Sequence, residues 1–287
     1  MAAAAPSNSG DGPQPGGALP SPGRSLRQAV ATALVLLAVI ALSYYLGPGA
    51  FFVLICVVIS VALFEVVDGL VHAGRAPNGA FVIACGLALL VVSYAQQPAL
   101  YGVVIAVTAY GGFLLSLRPD RGARPASDVA WTLLAVVWIG GGGVAATSML
   151  LLEPGGLSVL LSFILIVAAD DIAAFFVGTR FGAHKMAPSI SPSKSWEGFA
   201  GGLLAALAAG AAAGAIVGEL SLAEGAAIGL LCGLLAPVGD LVESLFKREV
   251  GIKDSGRLLP GHGGFLDRLD AIIFCAPAVF IFVRFAV

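Results

Sequence analysis

Residues 50–70 read AFFVLICVVISVALFEVVDGL, and Ser60 is the single polar side chain before Glu65. A helix of this length rises about 30 Å, which matches the hydrocarbon core of a bilayer. The stretch has no alternation of apolar and polar residues, so it does not read as a strand of a membrane β-barrel. Runs of the same kind recur along the chain, at about 29–46, 50–70, 79–95, 99–117, 129–151, 157–178, 198–218, 223–246 and 270–286. The predicted fold is therefore all-α: a polytopic transmembrane helical bundle of about nine spans.

Composition points the same way. The chain has 287 residues, 59% of them hydrophobic and 11% charged, against roughly 25% charged in an average soluble protein. The mean hydropathy is +0.98. Such a chain has too little polar surface for an ordinary soluble enzyme, and it is too apolar for a disordered protein. The four cysteines, Cys56, Cys85, Cys232 and Cys275, sit inside apolar stretches without a C-x-x-C pair and read as small buried hydrophobes. Residues 1–24 are rich in Ala, Gly, Pro and Ser and read as a disordered cytoplasmic tail. Residues 25–128 form an N-terminal transmembrane region of four spans, and 129–287 a C-terminal catalytic region of five.

The distribution of charge orients the bundle. Fourteen of the fifteen Lys and Arg residues precede the first span or follow spans two, four, six and eight; Arg284 is the exception. The positive-inside rule then places the N-terminus in the cytoplasm and the C-terminus outside, in a multi-pass protein of the cell membrane.

Two of the cytoplasmic connections, 179–197 and 247–269, are long and carry both signs of charge. A basic rim would account for the Lys and Arg residues but not for the acids. Glu65, Asp68, Asp170, Asp171, Asp240 and Glu243 lie within spans or at their ends. A carboxylate at membrane depth costs roughly 3 kcal/mol, so it faces a polar cavity or finds a partner. For Glu65 and Asp68, snorkelling to the interface is an equally good reading. Asp240 and Glu243 are three apart and share one helix face.

The stretch Ser244 to Asp270 reads SLFKREVGIKDSGRLLPGHGGFLDRLD. Its five bases can neutralise phosphates, and its glycines let backbone N–H groups approach an anion. Asp267 and Asp270, with Asp240 across the loop, supply the oxygen ligands that Mg²⁺ shares with a polyphosphate. The residues themselves thus point to a metal-dependent phosphoryl or nucleotidyl transferase at the cytoplasmic membrane face, without naming the nucleotide or the acceptor.

This stretch closely resembles the signature of the phosphatidate cytidylyltransferases, S-x-x-K-R-x4-K-D-x-G-x-x-L-P-x-H-G-G-x-x-D-R-x-D. It matches at Ser244, Lys247, Arg248, Lys253, Asp254, Gly256, Leu259, Pro260, His262, Gly263, Gly264, Asp267, Arg268 and Asp270. A second element of that family, S-P-x-K-[ST]-x-E-G, is met by Ser191, Pro192, Lys194, Ser195, Glu197 and Gly198. A third, D-[ST]-G-A-Y-x-x-G, is met in part from Asp171 to Gly178; Ile172, Ala173 and Phe175 depart from it. The resemblance covers about residues 160–287, while the first four spans match in hydropathy alone.

The resemblance implies transfer of CMP from CTP to phosphatidate, giving CDP-diacylglycerol and pyrophosphate for phospholipid synthesis, with Mg²⁺ as cofactor. It implies Asp240 and Asp267 as metal ligands, with Asp270 completing the site and Lys253 in a catalytic role. Lys247, Arg248, Arg257 and Arg268 are then candidates for phosphate binding, with Ser191, Lys194 and Ser195 from the second loop. His262 binds a phosphate or fixes its loop, and Gly263 and Gly264 serve loop geometry or backbone contact. Asp171, Glu197, Glu243 and Asp254 are expected to support the site. Trp196 reads as an interfacial anchor. The expected partners are CTP, phosphatidate and membrane lipids, with no nucleic acid; a homodimer is left open. A related CTP-using enzyme acting on another lipid, such as a polyprenol kinase or an archaeol-type cytidylyltransferase, and a transporter with intramembrane carboxylates are the alternatives, but no internal repeat of the transporter kind is found.

Overall fold

The computed structural model describes residues 22–117, 125–252, 255–256 and 264–286. Within them every apolar segment of the sequence is helical: α1 (Pro22–Leu46), α2 (Pro48–His72), α3 (Gly79–Tyr94), α4 (Tyr101–Ser116), α5 (Pro125–Ala135), α6 (Gly141–Leu150), α7 (Gly156–Phe181), α8 (Trp196–Ile216), α9 (Leu222–Val250) and α10 (Asp270–Ala286). A π-helical turn, Val136–Gly140, joins α5 to α6, so the two run on as one rod. Among the described residues, six helices are long and apolar enough to cross a membrane; α3 and the Ala31–Leu46 stretch of α1 are shorter apolar helices. The molecule is a helical membrane protein.

Local chemistry sets the helix ends. Pro48 opens α2 at its first turn, where a missing N–H costs nothing. Asn78 accepts the N–H of Phe81 and caps α3. Ser221 and Glu224 form a reciprocal capping box at the start of α9. Gly251, at φ 74°, adopts the left-handed conformation that ends α9.

Two features depart from the expected outline. Helix α9 runs one turn beyond the predicted span, so Lys247 and Arg248 ride on its last turn instead of lying in a loop. Phe246 and Val250 are buried and extend the apolar face that far, and basic side chains suit the negative end of a helix dipole. The connection after α7 is also not all irregular. It folds into a small antiparallel hairpin, β1 (Lys185–Ala187) and β2 (Ser191–Ser195), with Lys185 opposite Ser195. Pro237 and Pro277 lie inside α9 and α10, as membrane helices tolerate when neighbours surround the freed carbonyl.

Packing differs along the bundle. Helix α8 lies between α7 and α9, and at Gly198, Gly210 and Gly214 it meets their backbones directly. Helix α10 crosses α9 at Gly239, where an added Cβ would fall 2.9 Å from the Asp270 carbonyl. Helix α2 buries Phe51, Ile55, Ile59, Leu63, Val66 and Leu70 against α3, α6 and their neighbours. This arrangement brings one end of α2, the hairpin, and the facing ends of α7, α8, α9 and α10 together at one end of the bundle.

Candidate active site

A cavity of 620 Å³ opens at that end. Four carboxylates line it: Asp170 and Asp171 from α7, Asp240 from α9, and Asp267 from a 3-10 turn at Leu266–Arg268. Lys194 and Ser195 enter from β2, Lys185 from β1, and Arg268 from the 3-10 turn. The rest of the wall is apolar or small, with Phe175, Phe199 and Pro237 among its residues.

The acids are held by cations on two sides. The Lys194 ammonium, carried by the hairpin, pairs with the Asp240 carboxylate of α9. The Lys247 ammonium lies 2.6 Å from Glu243 Oε2 and 2.7 Å from Asp267 Oδ1, joining the end of α9 to the following turn. Lys247 and Glu243 are one helical turn apart, the spacing at which side chains meet. Asp267 Oδ2 also accepts the backbone N–H of Gly264 at 2.9 Å and of Ser255 at 3.4 Å. Burial acts to raise the Asp267 carboxyl, but hydrogen bonds with Glu243 and Lys247 outweigh it and hold the group down to about 2.

The residues singled out in the sequence divide by place. Asp171, Lys194, Ser195, Asp240, Asp267 and Arg268 meet at the cavity, with Lys247, Glu243 and Gly264 bound to Asp267 behind it. Ser195 is also the N-cap of α8, accepting the N–H of Gly198 at 3.2 Å. Glu197 takes the His184 ring and backbone N–H, bracing the hairpin against α8. Arg248 donates to the Ile190 carbonyl at 3.4 Å, so it ties the hairpin to α9 and does not line the cavity. The Ser191 hydroxyl shares a hydrogen bond with Ser193. Asp270 is buried at the start of α10, where Oδ1 accepts the N–H of Ala271. Lys253, Asp254, Arg257, His262 and Gly263 lie outside the described residues.

Two acids matter more here than their motifs indicated. Asp170 is 2% exposed and lies against Gly202 of α8, with Oδ1 lacking a hydrogen-bond partner among the described residues. Glu65 of α2 ends against the loop that carries Asp267. For both, the one signal in the sequence was a carboxylate within an apolar span.

The donor set suits a hard dication: four carboxylates line the cavity, one of them with a buried oxygen that lacks a partner among the described residues. Among the described residues, no three acidic, His or Cys side chains stand close enough to cage a metal by themselves. Mg²⁺ does not require a cage, because it commonly keeps waters and shares substrate phosphates with one or two carboxylates.

The fold and the cavity together are those of a helical membrane protein with lysine–carboxylate pairs gathered at one end of the bundle. The family model described as Cytidylyltransferase family matches residues 27–286, and the chain belongs to that family. Its relatives include the phosphatidate cytidylyltransferase of Mycobacterium bovis, 34% identical over 90% of this chain and 88% of the relative. The phosphatidate cytidylyltransferase of Pseudomonas aeruginosa is 37% identical over 88% of this chain and 94% of its own length. That of Staphylococcus aureus is 40% identical over 52% of this chain and 57% of its own length.

Proposed function

We propose that this protein is a CTP:phosphatidate cytidylyltransferase. A phosphate oxygen of phosphatidate attacks the α-phosphorus of CTP, the bond to the β-phosphate oxygen breaks, and CDP-diacylglycerol and pyrophosphate form. No protein nucleophile is required, because a phosphate monoester is already an anion at neutral pH. The work left to the protein is to bring two anions together and to balance the charge that builds on the pyrophosphate. Lys194 and Arg268 face the cavity and are placed to bind phosphates, while Lys247 holds Asp267 in position. Asp240 and Asp267 are the proposed Mg²⁺ ligands, with Asp170 and Asp171 lining the same cavity. A bound Mg²⁺ would supply charge neutralisation on the phosphates. The observation that carries the reading is the meeting, at one cavity, of the Lys194–Asp240 and Lys247–Asp267 pairs, with Lys194 from one signature element and Lys247 and Asp267 from another.

We also propose nine spans, α1 to α4, the joined α5 and α6, and α7 to α10, with the N-terminus and the active site on the cytoplasmic side. The contacts at the two ends of the bundle support this parity. At one end Arg75 donates to Ser127 at 2.6 Å, and Glu65 meets the Phe265–Leu266 turn. At the other, Tyr44 meets Ser158 and Ser93 meets Ser148. A cysteine placed at Ser189 should react with a membrane-impermeant thiol reagent from the cytoplasmic side, and one at Gly218 from outside. The reverse pattern overturns the orientation.

The activity test uses the purified protein, phosphatidate and CTP labelled at either the α- or the γ-phosphate. Label should enter the lipid from α-labelled CTP, stay out of it from γ-labelled CTP, and vanish with EDTA. Lipid label from the γ-phosphate would mean a kinase and would overturn the reading.

A further inference from the structure

We propose that Glu65 of α2 is a positioning residue for the active site, holding the turn that carries Asp267. The geometry stands by itself; the kinetic consequence rests on the cytidylyltransferase reading. Glu65 is 1% exposed. Its Oε1 accepts the backbone N–H of Phe265 at 2.9 Å, and its Oε2 accepts that of Leu266 at 2.7 Å. These consecutive N–H groups open the 3-10 turn Leu266–Arg268, and such groups have no acceptor within their own helix. A carboxylate satisfies both at once, and its charge suits the positive end of the turn. A buried carboxylate without such partners would be costly, so the two bonds also account for an acid in the middle of an apolar helix.

The glycines of the loop fit the same arrangement. Gly256 passes so close to the Glu65 carboxylate that an added Cβ would force one of the two to move. Gly264 is packed against Ser255, and a Cβ there would fall 2.8 Å from Asp267 Oδ2. Asp267 thus draws Gly264 and Ser255 in from one side of the loop, and Glu65 holds Phe265 and Leu266 from the other. Gly69, one helical turn beyond Glu65, lies against Phe246 and Ile252, which keeps α2 pressed onto the end of α9. A helix of the N-terminal region, otherwise without signature residues, therefore sets where a signature carboxylate stands.

The test compares Glu65→Gln, Glu65→Asp and Gly256→Ala in the full chain reconstituted in lipid nanodiscs. Glutamine offers one acceptor and one donor where two acceptors are needed, so one backbone N–H is opposed. For Glu65→Gln, kcat for CDP-diacylglycerol formation should fall by about a hundredfold, the effect of misplacing a group by about 1 Å, while the KM for CTP moves less than about threefold. Hydrogen exchange should quicken about tenfold in the peptide 264–269 and stay unchanged in α8. Glu65→Asp, which keeps the charge, should recover most of the lost kcat. Glu65→Gln and Gly256→Ala disturb one contact, so their combination should cost no more than the worse of the two. Unchanged kcat per folded molecule, or unchanged exchange at 264–269, overturns the proposal. If Glu65→Gln does not fold, Gly256→Ala carries the same two readouts, and wild-type values in both overturn it. A wild-type protein that makes no CDP-diacylglycerol would sink the functional reading, while the exchange experiment would still decide whether Glu65 holds the turn.

Discussion

Helices α8 and α9 meet backbone to backbone, whereas α2, α3 and α4 meet through side chains. Gly210 of α8 lies against the Gly225 carbonyl of α9, Gly214 against that of Ser221, and Gly229 against that of Ala206. In the N-terminal region, Gly86 faces the Leu63 side chain and Gly111 the Phe81 ring; a Cβ added at Gly79 would fall 3.1 Å from a Val67 methyl, and one at Gly102 would meet nothing within 4 Å among the described residues. Side chains can shift by a few tenths of an ångström, but a backbone in mid-helix cannot move without shifting the whole rod. The rigid contact lies where it is needed. Asp240 and Lys247 leave from α9, and Lys194 reaches Asp240 from the hairpin that leads into α8. A slip between those helices would pull apart the pairs around the cavity. The N-terminal region can meet through side chains because it carries none of the signature residues, and Glu65 alone among its described acids bonds to the turn that carries Asp267.

The sharpest test of the contrast is at the carboxylates. Asp240→Asn should lower CDP-diacylglycerol synthesis by about a hundredfold to a thousandfold with the protein still folded, as measured by turnover and near-UV circular dichroism. Near-normal turnover would remove Asp240 from the machinery. Next comes Lys247→Gln, expected to cost about a hundredfold, because it leaves Glu243 and Asp267 as uncompensated neighbours. Gly225→Ala should destabilise the protein by about 3 kcal/mol, the upper range for overpacking, and Gly79→Ala by under about 1 kcal/mol, both read from thermal unfolding in detergent. Equal losses at the two glycines would erase the distinction between the interfaces. The smallest effect is expected at Asp68→Asn: this half-exposed residue lies 3.6 Å from His72 at the rim, and its loss should change stability by less than about 0.5 kcal/mol and leave turnover intact.

Much of the site could be read from the chain. The spacing of Lys247, Gly264, Asp267 and Asp270, and of Lys194 and Ser195, carried the resemblance, and most of those residues gather at one end of the bundle. The particular jobs of several others could not be read. Arg248 looks like a phosphate-site residue in the motif, yet in space it braces the hairpin through Ile190, and the support expected of Glu197 takes the particular form of a grip on His184. A motif fixes the order of residues along the chain, and a side chain's partner depends on which other segment folds against it. The hairpin itself had no signal, since its residues carry neither the alternation nor the aromatic and β-branched content of a strand.

The amino-acid sequence alone settled that this is a helical membrane protein, and it pointed to 191–198 and 240–270 for its chemistry. Apolar run length and the spacing of charged and glycine residues are properties of the chain by itself, and both survive without knowledge of the fold. The tertiary structure decided which acid meets which base: Lys194 with Asp240, Lys247 with Asp267, and Glu65 with a turn 200 residues away. Those pairings arise from helices that cross where glycine lets them approach, and an ion pair or a cap exists once that crossing brings its atoms within about 3 Å.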